Sequence, residues 1–135
     1  MTFIDANVFL RFLTGDAPEP AERCRALFQR VEKGDEAVTT CEAVIAEVVY
    51  VMASAKLYHL PRAKIRELLR PLLMLRGFHL PQRSILLRAL DLFESQPRLD
   101  IADALLAAHA EARGATVTSY DRDLDRVPGI RRVEP

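Results

Sequence analysis

The chain opens on Met1-Thr2-Phe3-Ile4-Asp5-Ala6-Asn7. Phe3 and Ile4 form a short β-prone apolar pair. Asp5 and Asn7 follow where a buried strand would end. Val8, Phe9, Phe12 and Leu13 then repeat at helical spacing over residues 6–13. A strand over residues 2–5 therefore passes straight into a helix. An acid at the carboxyl end of a parallel strand stands where open α/β sheets build their sites. A plainer reading of Asp5 is the N-cap of that helix, and Asn7 could equally be a local turn former.

Working outward, Thr14-Gly15-Asp16 ends the first helix, with Gly15 as terminator. Pro18 and Pro20 open a second helix with apolar face Cys24, Leu27, Phe28 and Val31; Lys33-Gly34-Asp35 stops it. Residues 36–40, with Val38, Thr39 and Thr40, predict a second strand. A third helix spans residues 41–57, with Thr40 as a candidate cap. Its apolar face is Val44, Ile45, Val48, Val49, Val51 and Met52, and Glu47 sits at the edge of that face beside Val51. Pro61 starts a fourth helix carrying Ile65, Leu68, Leu69, Leu72 and Leu73; Pro71 inside it predicts a kink or an early end. Residues 77–80 are a short third strand or an extended link. Residues 82–96 form a fifth helix, and residues 101–113 a sixth ended by Gly114. Residues 115–118 are a fourth strand, 121–126 a turn, and 130–133 a last short strand.

Strands alternating with helices imply a central parallel sheet of 4–5 strands, with helices on both faces. Right-handed crossovers send the strand carboxyl ends to one edge. That edge is expected to receive Asp5, the start of the helix with Asp103, and the Asp121/Asp123 turn.

The length of 135 residues predicts a single domain over 1–135. Half the residues are apolar, enough for a core without staples. Basic and acidic residues balance at 19 each, which excludes a uniformly basic surface but not a local basic face. Cys24 and Cys41 lack metal-ligand spacing and predict reduced, helix-packing thiols in a cytoplasmic protein. The chain begins directly on its first strand with no basic leader, so no signal peptide is expected. Its apolar runs are too short to span a bilayer.

The acids need separate weighing. Glu47 is the sole charge between Ala43 and Ala55, though helix edges do carry single glutamates. Asp103 is the sole charge in Ile101-Ala102-Asp103-Ala104-Leu105-Leu106-Ala107-Ala108. A buried, unpaired carboxylate is costly. Alternatively Asp100 is an N-cap and Asp103 sits at N3, where the helix dipole favours an acid. In Ser119-Tyr120-Asp121-Arg122-Asp123-Leu124-Asp125-Arg126, Asp125 reads as a solvated turn residue. Asp121 follows the strand most closely and is the preferred fourth acid; Asp123 is second.

Carboxylates gathered at one edge would raise each other's pKa unless a cation compensated. Hard oxygen ligands without His or Cys select Mg²⁺ or Mn²⁺. His59, His79 and His109 are scattered without ligand spacing. No Gly-x-Ser-x-Gly, Cys–His pair or phosphate-cradling glycine loop is present. A carboxylate-held Mg²⁺ with open water positions is equipment for phosphodiester hydrolysis. Arg11, Lys56, Arg62, Arg122 and Arg126 could hold a nucleic-acid backbone, or be ordinary surface charge.

The stretches Phe3-Ile4-Asp5-Ala6-Asn7-Val8, Ala46-Glu47-Val48, Asp100 to Ala108 and Ser119 to Leu124 together resemble a PIN-domain ribonuclease of the VapC toxin type. The resemblance spans the chain; its first and third motifs are the specific ones. It implies a three-layer α/β/α sandwich with a central parallel sheet. It implies that Asp5 and Asp103 are the principal ligands of Mg²⁺ or Mn²⁺. Glu47 would be a further ligand or would orient the attacking water, and Asp121 would close the acidic set. Asn7 and Ser119 would support the site. Of the basic side chains near these acids, Arg11, Lys56 and Arg122 are the candidates for contacts to the RNA backbone. It further implies RNA cleavage, a homodimer and inhibition by a cognate antitoxin. Long apolar faces on the second and fourth helices predict the dimer and a groove near residues 57–73 for the antitoxin. The last motif departs from common versions by offering two acids two residues apart.

Two rivals come from other classes. A catalytically silent PIN-like binding module would keep the fold and lose acids, yet the acids remain. A phosphoacceptor receiver would need an acceptor aspartate after a middle strand, and residues 77–81 supply none.

Overall fold

The computed structural model describes residues 1–135. Its elements are β1 (Thr2–Phe3), α1 (Ala6–Thr14), α2 (Pro18–Lys33), β2 (Val38–Thr39), α3 (Glu42–Ala53), α4 (Arg62–Leu73), α5 (Arg83–Ser95), α6 (Ile101–Arg113), β3 (Thr116–Thr118), a 3₁₀ turn (Arg122–Arg126) and β4 (Arg131–Val133). The chain divides into two compact units, Met1–Pro81 and Gln82–Pro135. No helix is long and apolar enough to cross a membrane.

In the first unit β1 and β2 pair in parallel, Thr2 opposite Val38 and Phe3 opposite Thr39. The Ile4 N–H donates to the Thr39 carbonyl at 2.9 Å and extends the ladder towards Asp5. On its other side β2 meets Phe78 through a single parallel bridge from Val38. The expected strand at 77–80 is thus one bridge long. Buried hydroxyls must find acceptors, and the Thr40 hydroxyl donates to the Ile4 carbonyl at 2.8 Å. Thr40 is therefore not the cap of α3. Cys41 holds the N-cap position without a side-chain bond. The helix also stops at Ala53, short of the expected 57, where the Ser54 N–H closes it onto Tyr50 and Val51 carbonyls.

Phe9 anchors the core of this unit. Its ring centroid lies 5.8 Å from that of Phe28, tilted by 47°, and 5.9 Å from that of Phe78, at 30° between planes, separations at which aromatic pairs attract. Around it α3 buries Ile45, Val48, Val49 and Met52, and α4 buries Ile65, Leu69, Leu72 and Leu73. The apolar face of α4 is therefore turned inward rather than left as an open groove; Leu57 and Met74 stay exposed. Pro71 lies inside α4, which closes soon after it at Leu73. Gly15, at φ 65°, ends α1 in the left-handed conformation expected of it.

Gly77 is required for a different reason. A Cβ there would stand 2.2 Å from the Glu36 carbonyl oxygen and 2.7 Å from that of Val31. Both obstacles are backbone, and the Gly77 N–H itself bonds the Val31 carbonyl at 2.9 Å. Gly77→Ala should destabilise the fold by about 3 kcal/mol, the upper part of the usual overpacking range. Denaturant unfolding measures this, and an unchanged midpoint would contradict it.

In the second unit α5 and α6 pack on each other. Ala104, Ala107, Ala108 and Ala110 are buried on α6, and Leu86, Ala89, Leu90 and Phe93 on α5. Gly114 caps α6 and turns the chain into β3. β3 and β4 pair in parallel with Thr116 opposite Arg131, Val117 opposite Arg132 and Thr118 opposite Val133. A parallel pair demands a crossover rather than a hairpin, and residues 119–130 supply it through the 3₁₀ turn. The expected parallel strands thus occur as one pair in each unit, with Phe78 adding a bridge in the first.

Candidate functional site

Asp5 follows β1 and takes the N-cap of α1: its Oδ1 accepts the Val8 N–H at 3.3 Å. Ile4 and Ala6 are buried, while Asp5 and Asn7 are exposed. The chain thus tucks its apolar neighbours inward and presents both polar groups outward. Capping occupies one carboxylate oxygen and leaves the second available, so the cap and a ligand role are compatible. Glu47 lies on the exposed side of α3 with Ala43 and Tyr50, opposite buried Val48, Val49 and Met52.

Arg11 is already engaged. Its Nη1 stands 3.0 Å from Asp16 Oδ1, and the Tyr58 hydroxyl donates to the other Asp16 oxygen. The Tyr58 hydrogen bond and Arg11 hold the Asp16 carboxyl below its ordinary range, against the opposing effect of burial. This pairing ties the end of α1 to the loop after α3. Lys56 and Arg122 are exposed.

In the second unit Asp100 caps α6, its Oδ1 accepting the Asp103 N–H at 2.8 Å. Asp103 is half-buried at the third helical position. Its carboxyl is pushed above the ordinary range, first by burial, then by the Asp100 carboxylate and a hydrogen bond to that side chain, then by the Asp121 carboxylate. The start of α6 and the segment beyond β3 thus bring acids together.

Asp121 is exposed and caps the 3₁₀ turn: its N–H donates to Ser119 Oγ at 2.9 Å, and its Oδ1 accepts the Asp123 N–H at 2.9 Å. The other two acids of the turn are held by arginines. Asp123 faces Arg98 at 3.6 Å, and Asp125 receives a two-point fork from Arg132 at 2.8 and 3.1 Å. That fork holds the Asp125 carboxyl below its ordinary range. Asp121 has no such partner, and its charge acts on Asp103 instead.

The donor chemistry suits a hard divalent cation: the groups acting on Asp103 are the Asp100 and Asp121 carboxylates. No group of three or more His, Cys, Asp or Glu side chains forms a metal-holding cluster, however. What the structure shows at Asp103 is a half-buried carboxyl held above its ordinary range by burial and by the Asp100 and Asp121 carboxylates.

A family model described as the PIN domain matches residues 2–130. The chain belongs to the PIN-domain family. Among curated proteins, none is significantly similar to it. The PIN fold is α/β, in agreement with the six helices and parallel strands described above. PIN domains are commonly nucleases and generally use divalent metal ions.

Two residues of this PIN domain, Arg98 and Arg132, escaped the sequence reading, and Asp100 entered it only as a cap and as part of the third motif. Asp100 is more than a cap: three residues before Asp103 it shares that helix face, and the Asp-x-x-Asp spacing was the available signal. Arg98 and Arg132 pair with Asp123 and Asp125 from outside the turn, and no local pattern marks them. His109, half-buried, places Nδ1 2.9 Å from the Arg113 guanidinium, which fits a helix-face role.

Proposed function

We propose that this PIN domain is a Mg²⁺- or Mn²⁺-dependent endoribonuclease, and that it is the VapC-type toxin of a toxin–antitoxin pair. The observation that supports the metal-dependent reading is the half-buried Asp103 at the start of α6, whose carboxyl is raised first by burial and then by the Asp100 and Asp121 carboxylates. Like charges brought that close are relieved by a bound cation. Asp5 and Asp103 would be its principal holders, with Glu47 and Asp121 completing the set. When bound, the metal supplies an activated water and neutralises charge on the scissile phosphate.

The protein's own groups do the rest. Glu47, exposed on α3, accepts a proton from the attacking water or orients it. Asn7 supports the Asp5 end through hydrogen bonding, and Ser119 supports Asp121 through the bond to its N–H. Lys56 and Arg122, both exposed, contact the RNA backbone; Arg11 does so only if it leaves Asp16. The finer reading includes a cytoplasmic homodimer and a cognate antitoxin. The antitoxin would seat near residues 57–73, where Leu57 and Met74 stay exposed beside the inward-facing α4.

The test is purified protein incubated with structured RNA, with and without Mg²⁺, beside calorimetry with Mn²⁺. Cleavage should require the metal, and an Asp5→Asn, Asp103→Asn double variant should lose Mn²⁺ binding. RNA retained but never cut would mark a silent binding module. Unaltered Mn²⁺ binding in the double variant would remove these acids from the site.

A further inference from the structure

Arg132 lies on β4 opposite Val117, and its side chain is only 11% exposed. Its guanidinium is fully committed. Nε and Nη2 hold both oxygens of Asp125 at 2.8 and 3.1 Å, and Nη1 donates to the Ser119 carbonyl at 2.8 Å and stands 3.4 Å from Glu134 Oε1. Ser119 and Asp125 flank Asp121 on either side. Ser119 is fixed a second time by its N–H, which donates to the Val133 carbonyl at 2.9 Å. From Ser119 the bonds continue: its Oγ accepts the Asp121 N–H, and Asp121 Oδ1 accepts the Asp123 N–H. A closed ring results, running from Arg132 through Ser119, Asp121 and the 3₁₀ turn to Asp125 and back.

We propose that Arg132 is the positioning residue of the Asp121 turn, fixing the direction in which the Asp121 carboxylate leaves the backbone. Only a planar fork can bind a carboxylate at two points and a backbone carbonyl at a third; a lysine supplies one compact charge. A surface arginine kept for solubility would not be withdrawn from solvent with its donors on a backbone carbonyl. The clamp matters for activity only if Asp121 serves the metal site, so its functional consequence rests on the nuclease reading above. Groups that orient a ligand are worth roughly ten- to a hundredfold in metal affinity.

Arg132→Lys and Asp125→Asn test it. Amide hydrogen exchange is measured across the protein, and RNA cleavage is titrated with Mn²⁺. In Arg132→Lys the Asp121 and Asp123 amides should exchange faster while α6 keeps its protection. The Mn²⁺ concentration for half-maximal cleavage should rise roughly tenfold, with the rate restored at excess metal. Asp125→Asn, which leaves the Ser119 contact in place, should show the same changes more weakly. Unchanged exchange at Asp121 and Asp123 in both variants overturns the proposal. So does a loss of protection spread evenly over α6 with the Mn²⁺ dependence unmoved, because that is a merely structural arginine. If the unaltered protein cuts no RNA at any Mn²⁺ concentration, the nuclease reading fails, and the exchange pattern alone decides for or against the clamp.

Discussion

Asp103→Asn should abolish RNA cleavage and yet raise the melting temperature of the metal-free protein at neutral pH. Asp103 is half-buried, with the Asp100 and Asp121 carboxylates both acting to raise its pKa above the ordinary 3.8. A carboxyl whose folded pKa is raised favours folding when protonated. That contribution is present below the unfolded pKa and is lost as pH rises through the folded one. At pH 7 the ionised side chain is therefore a burden on the apo fold. Asparagine removes the charge and keeps the backbone N–H that Asp100 accepts. The melt in chelator should rise by a few degrees, at about 3 °C per kcal/mol for a chain of this size. The gap should close as pH falls through the folded pKa and the native carboxyl protonates. Activity moves the other way: losing a principal metal-holding carboxylate should cost on the order of a thousandfold, about 4 kcal/mol. Stability gained where function is lost is the trade-off expected of a site. A variant that melts slightly lower and cuts RNA normally would show Asp103 to be only a helix-start acid.

The parts legible in the sequence were those set by neighbours in the chain. Both ends of α6 follow from Asp100 and Gly114, and the bounds of α1 and α2 from Asp5, Gly15, Pro18 and Gly34, because caps and breakers act within one turn. Thr40 misled for the opposite reason. Its hydroxyl bonds Ile4, thirty-six positions earlier, and no local pattern reveals so distant an acceptor. The same holds for Arg98 and Arg132, whose carboxylate partners decide which acid of the turn stays available. For Glu47, periodicity assigned the edge of an apolar face. The structure exposes it, because Val48, Val49 and Met52 carry the burial that the broader stripe was expected to share. For α4, counting apolar residues indicated how much surface needed cover, but not that its own unit would cover it.

Asp121→Asn should remove most metal-dependent cleavage, while Asp123→Asn should leave most of it. Both acids lie in one short turn and differ by two positions. Asp121 is the extended N-cap of the 3₁₀ turn and Asp123 its second residue, so the two carboxylates leave different backbone conformations. Asp121 caps the turn, which begins at Arg122, and its carboxylate is one of the groups that raise the pKa of Asp103. Asp123 is half-buried and faces Arg98 at 3.6 Å. A carboxylate facing an arginine has part of its charge already balanced, and a metal would have to compete for it. Asp121 faces no arginine. Its asparagine variant should lose on the order of a hundredfold or more in cleavage, since the amide keeps the cap but not the charge. In Asp123→Asn the cost should be limited to a weakened, largely exposed ion pair, roughly 0.5 kcal/mol in an unfolding experiment. Parallel cleavage assays at fixed Mn²⁺ separate the two. An inactive Asp123→Asn beside an active Asp121→Asn would mean that Arg98 holds the metal-binding acid in reserve, and that the turn must rearrange before RNA is cut.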